Sequence, residues 1–285
     1  MNTLAKRPYW AILTFPLALY LAIFLVIPFI NIIVLSLYTY SPTRIWTPEL
    51  TNANYLALAD GALVTVLLRT LRLGLFCTAI CVVFGYPLAY FLARAERRVA
   101  MIGLFLLVTP LMVSAVIRTF GWLVILGRHG LINATLEAIG LVRLPLLYNE
   151  TAVVAGLVNV FLPFMVLPLM ASIERINPAL EEAARNLGAG WFDTFRLVIL
   201  PLSRPGLISG CLLVYSAAIS AFVIPVLMGG ARVRVVGRLI YDQLLISYQW
   251  LSASAIATLL VLATTSLSFV ALAITRRGGR QEHGA

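Results

Sequence analysis

The stretch "EEAARNLGAGWFDTFRLVILPLSRPG", residues 181–206, is charged and punctuated by glycine and proline, yet it lies between two almost wholly apolar runs, 152–173 and 206–228. A bilayer would reject it, so it must lie outside the lipid. Just upstream, Asn177 is placed to cap a helix and Pro178 to be its first residue. Glu181 and Glu182 follow near the positive end of the dipole. Leu180, Ala183, Ala184 and Leu187 recur at 0, 3, 4 and 7, which makes one apolar face with two small residues at its centre. Gly188 stands where a helix ends in a left-handed residue. Beyond it, "GWFDTFRLVILP" (190–201) starts a second short helix with Phe192, Phe195 and Ile199 on one side, and Ser203, Pro205 and Gly206 turn the chain back toward apolar sequence. The expected unit is two short helices joined by a glycine bend. Its small-residue face suits close helix-in-groove approach, and an ordinary interfacial hairpin is the plainer reading.

Working outward, 61% of the 285 residues are hydrophobic and 11% charged. About 25% charged is usual for soluble domains, so the chain is an integral membrane protein. The net charge of +10 then reads as anchoring to lipid headgroups, with no nucleic acid as partner. Cys77, Cys81 and Cys211 lie in apolar runs without His or acid neighbours, so they are packing residues and no metal site is expected.

Six runs, approximately 9–37, 67–93, 99–117, 152–173, 206–228 and 251–274, can each cross a core that needs about 20 helical residues. None alternates as a barrel strand would, so the expected class is all-α, a polytopic bundle of six transmembrane helices forming one domain over 1–285. The first run follows Lys6 and Arg7 but is too long for a signal h-region of about 7–15 residues. Prolines 163 and 168 should make the fourth span irregular, as suits a helix lining a pathway or a merely kinked packing helix. Lys and Arg are nearly balanced between the two sides, but the short hairpin "RAERR" (94–98) and the tail "RRGGR" (276–280) favour cytoplasmic N- and C-termini. On that orientation 38–66, 118–151 and 229–250 are external, with 118–151 an interfacial segment over the bundle mouth, and 174–205 is cytoplasmic.

Glu182-Ala183-Ala184, three residues, Gly188, nine residues and "VILP" (198–201) resemble the EAA loop of permease subunits in binding-protein-dependent, type I ABC importers. The family pattern has Ile where Val198 stands. "SAVIRTFGW" (114–122), "LPFMVLPLMASIERI" (162–176) and "LMGG" (227–230) resemble the spermidine/putrescine-type permeases. The resemblance implies that Glu181, Glu182, Ala183, Ala184, Leu187 and Gly188 form the ATPase-coupling element. It further implies a nucleotide-binding ATPase subunit, a second homologous permease in a heterodimer, a periplasmic or surface substrate-binding protein, and a bacterial inner-membrane location.

The chain itself points the same way on energy. A Walker A loop needs a lysine after its glycines, and the one lysine is Lys6, preceded by Leu4 and Ala5. No cofactor is therefore expected in this chain, and ATP and Mg belong to the partner ATPase. No catalytic residues are expected either: His129 and His283 are the only histidines, and neither H-E-x-x-H nor G-x-S-x-G occurs. The rival readings are a secondary transporter and a non-transporting scaffold. The six runs hold no acid and no histidine for ion coupling, with Asp60 and Glu96 at edges. The candidate pathway residues are Arg118, Asn159, Tyr215 and Ser220: an amide in the fourth span, hydroxyls in the fifth and a cation near the outer mouth. A cationic polyamine would find aromatic faces at Trp122, Tyr148, Tyr215 and Phe222 but no carboxylates. External arginines would attract anions or an acidic protein rim, or simply snorkel. Another small organic solute, such as an amino-acid derivative, therefore stays open as substrate.

Overall fold

The computed structural model describes residues 7–41, 45–58 and 61–280. Lys6, Asp60 and His283 lie outside the described residues. The chain is mostly helical and forms two compact units, one of 1–64 with 239–263 and one of 65–238 with 264–285.

In the first unit, α1 covers 7–36 and contains a π-turn at Ala22–Val26. Its apolar side chains are exposed along the described length, as a lipid-facing span requires. A small antiparallel hairpin follows, β1 (Tyr38–Ser41) with β2 (Ile45–Leu50), then α2 (Ala53–Leu58). The hairpin departs from the all-α expectation. Tyr38, Tyr40, Ile45 and Trp46 are residues that favour strands, and a run this short carries no helical period.

The second unit is built on α3 (Ala62–Arg94), whose buried positions include Leu73, Cys77, Cys81, Ala89 and Leu92. Next come α4 (Arg97–Val108), extended by a 3-10 turn at Thr109–Met112, then α5 (Ala115–Leu126) and α6 (Leu131–Ala138). The fourth run is α7 (Glu150–Glu174); the loop after it holds α8 (Pro178–Asn186) and α9 (Trp191–Leu202). Helices α10 (Arg204–Ser220) and α11 (Val223–Gly229) follow, while α12 (236–246) and the last helix, α13 (Trp250–Arg280), each have residues in both units.

Close approaches set the directions. Arg72 meets Glu150, Gly85 lies on Met165, and Arg94 meets Glu181, so α3 and α7 run parallel. Gly206 lies on Ser172 and Pro168, Gly210 on Met165, and Ile219 on Gly74, so α10 runs antiparallel to both. This is a G-x-x-x-G seam that lets two backbones approach closely.

Two runs are broken within apolar sequence, each near a proline, Pro110 or Pro225. The third is not one helix over 99–117: around Pro110 the chain tightens to a 3-10 turn at Thr109–Met112, and Val113 is extended before α5 begins. Segment α5 does not leave the bundle as an interfacial loop. It continues beside the first half of α7, where the Trp122 indole N–H donates to Asn159 Oδ1 at 3.4 Å. The fifth run breaks at Ala221–Phe222, and α11 then packs on Gly156 and Val153 of α7. Among the described residues four helices are long and apolar enough to cross a bilayer, or five if the bent α9–α10 pair counts as one.

Candidate functional site

The loop between α7 and α10 forms as its residues dictate. The side chain of Asn177 accepts a bond from the Ala179 N–H at 3.1 Å, and Pro178 opens α8. At the other end Gly188 has φ +88. Its N–H donates to the Arg185 carbonyl at 2.9 Å, and the Ala189 N–H donates to the Ala184 carbonyl at 3.0 Å. That pair of bonds is a Schellman ending, which satisfies two terminal carbonyls and requires the left-handed residue. After the bend α9 runs to Leu202 and meets α10 at 71°, with Ser203 fully buried at the corner.

The apolar face of α8 points outward. Leu180 and Leu187 are 47% and 89% exposed, Ala183 is exposed and Ala184 is half-buried. Glu182 is exposed beside them. An uncovered apolar face with a small residue at its centre, on a helix outside the spans, is a surface shaped to be covered. On α9, Phe195 and Ile199 turn inward while Phe192 stays exposed; Trp191 stacks on Phe195 at 5.7 Å and Tyr86 meets it edge-on at 4.9 Å.

Glu181 does not belong to that exposed group. Its side chain is 7% exposed, and Oε1 accepts from Arg94 Nε at 2.9 Å while Oε2 accepts from the Tyr90 hydroxyl at 2.8 Å. Arg94 also donates to the Ile176 carbonyl at 3.1 Å. Residues 181 and 182 are successive, so about 100° of helix rotation sends one toward α3 and the other outward. Sequence reading missed Tyr90 and Arg94. The only local signal was a basic residue in the last turn of α3 next to "AERR".

The candidate pathway residues do not form one cluster. Arg118 and Trp122, four residues apart, share one face of α5, and Trp122 reaches the exposed Asn159 of α7. Asn159 lies four residues before Pro163, which has no N–H to give its carbonyl, so side-chain amide and backbone oxygen are polar at the same level. Arg118 Nε and Nη1 are buried and have no hydrogen-bond partner among the described residues. Tyr215 lies elsewhere, its ring against Gly74 of α3, and the Ser220 hydroxyl bonds to its own helix at the Ser216 and Ala217 carbonyls. Near the opposite end of this unit from α8, a cavity of about 920 Å³ is lined by Arg128, Arg143, Arg232 and Tyr148.

Residues 82–278 match the family described as binding-protein-dependent transport system inner membrane component. The chain is 37% identical over 253 residues to the spermidine/putrescine transport system permease protein PotB of Haemophilus influenzae, covering 88% of each chain. It is 39% identical over 233 residues to PotB of Escherichia coli K12, covering 81% of this chain and 85% of that one. A solved bacterial alginate ABC transporter, in complex with an alginate pentasaccharide-bound periplasmic protein, contains a chain of the same fold at TM-score 0.76 and 20% identity, with 94% of both chains covered. The exposed helix with its glycine ending, set between apolar helices, and a match over most of the sequence lead to one conclusion: this chain belongs to the binding-protein-dependent transport system inner membrane component family.

Proposed function

We propose that the chain is the permease subunit of an ATP-driven importer of polyamines of the spermidine/putrescine type. It crosses the bacterial inner membrane six times with both termini cytoplasmic. The third crossing is α4 continued by α5, and the fifth is α10 continued by α11. A separate ATPase docks on α8 and holds the ATP and Mg. A second, non-identical permease completes the conduit, and a periplasmic protein delivers the substrate.

The observation that carries this reading is the exposed Leu180–Ala183–Leu187 face of a helix ended by Gly188 at positive φ. The substrate class draws its support from the two PotB relatives. Aromatic groups such as the exposed Phe222 and the half-buried Trp122 offer a cation the faces it needs where carboxylates are absent. Arg128, Arg143 and Arg232 around the outer cavity suit the acidic rim of a delivery protein better than a cationic solute.

Uptake tests the reading. Cells without polyamine uptake of their own, given this chain with its partner permease, ATPase and binding protein, should accumulate labelled spermidine. Omitting either this chain or the ATPase should return uptake to background. Accumulation that persists without the ATPase would refute ATP-driven import, and accumulation of an amino-acid derivative in place of spermidine would refute the substrate class.

A further inference from the structure

Glu181 is the buried side chain of α8, and what buries it belongs to a membrane helix. Its two carboxylate oxygens have separate duties: Oε1 takes Arg94, and Oε2 takes the Tyr90 hydroxyl. Through its bond to Ile176, Arg94 also grips the link between α7 and α8. Three pieces of chain thus meet at one point: the last turn of α3, the linker at 175–177 and the first turn of α8. The charges suit both helix ends, a cation at the C-terminal end of α3 and an anion near the N-terminal end of α8. A buried pair of this kind supplies direction more than net stability.

We propose that the Glu181–Arg94–Tyr90 junction is the joint through which α8 moves α3, so that its loss disconnects the ATPase from the conduit without releasing it. The inference rests on the coupling reading above and names the residues that carry motion from the docking surface into the spans. Helix α3 is suited to transmit it. It is continuous over 33 residues, about 50 Å at 1.5 Å per residue. Along its length Gly85 touches α7 at Met165, and Gly74 touches α10 at Tyr215 and Ile219. At its far end Thr70 Oγ1 accepts from the Val236 N–H at 3.0 Å, and Arg69 and Arg72 pair with Glu150. A displacement of Arg94 therefore reaches the side chains of both conduit helices and the far end of the unit. The docking face itself, Leu180, Ala183 and Leu187, takes no part in the junction.

The test uses the full complex of both permeases, ATPase and binding protein in proteoliposomes. Glu181→Gln removes the charge and keeps the shape; the double variant Arg94→Gln with Glu181→Gln leaves no lone buried charge; Tyr90→Phe removes one hydrogen bond. The expected result is that all three retain the ATPase on purification and hydrolyse ATP at the basal rate. Stimulation by loaded binding protein, about 5–150-fold for a typical coupling between sites, should fall below about twofold in the first two and to an intermediate value in Tyr90→Phe. Wild-type stimulation in Glu181→Gln and in the double variant would overturn the proposal. So would loss of the ATPase from the Glu181→Gln and double-variant complexes, because the junction would then only shape the docking surface. If the unaltered chain retains no ATPase, the coupling reading beneath the proposal fails instead.

Discussion

Gly188→Val should abolish binding-protein-stimulated ATP hydrolysis and uptake together, while membrane insertion and expression stay near the wild-type level. The cause is backbone conformation, not space: nothing lies within 4 Å of where a Cβ would stand, but φ is +88. A side chain in the left-handed region costs about 1–2 kcal/mol, and a β-branched one more. The chain would relieve that strain by opening the bend. The two bonds from Gly188 and Ala189 would then break, and α8 would lose its fixed angle to α9. Gly188→Asn, which tolerates the conformation, should keep most of the activity. Ala183→Asp should reach the same endpoint by a different route, placing a charge at the centre of the exposed face of α8 proposed to dock the ATPase. Both substitutions lie outside the spans, so surface abundance separates them from general misfolding.

Gly206→Leu should have the opposite signature, a fall in folded protein before any specific loss of function. Even a Cβ at Gly206 would stand 2.4 Å from Ser172 Cβ and 2.6 Å from the Pro168 carbonyl oxygen. Those atoms belong to the helix across the seam, and the carbonyl is backbone that cannot swing aside. Overpacking of this kind costs about 1–3 kcal/mol and more when backbone must move. Thermal unfolding followed by fluorescence-detected gel filtration should show a clear drop in melting temperature. Gly61→Leu, with open space around it, should show none.

The sequence made the apolar runs and the α8–α9 loop legible for physical reasons. Apolar length fixes spans, and α8 is written in local signals: Asn177 as cap, Pro178 as first residue and Gly188 as stop. The helix breaks at 113–114 and 221–222 could not be placed because both lie inside apolar runs, where Pro110 and Pro225 mark a kink nearby but not the residue at which the helix ends. The Arg94–Glu181 pair was hidden because its members are 87 residues apart. Periodicity gave Glu181 and Glu182 equal standing, and tertiary packing then separated them by burying one against α3. In the candidate pathway, Asn159 and Tyr215 were matched by polarity alone. Nothing in the one-dimensional pattern says that one turns toward α5 and the other toward α3.

Cross-linking probes the docking surface directly. In a complex whose other accessible cysteines are replaced, Ala183→Cys should join to a cysteine in the cleft of the ATPase subunit, and Val142→Cys, at the end of the unit remote from α8, should not. The yield at Ala183 should change between nucleotide-free and ATP-bound states, as a moving contact requires. A complex that transports substrate yet gives no cross-link from Ala183 in either state, or one that cross-links from Val142 instead, would contradict the assignment of α8 as the ATPase-coupling helix.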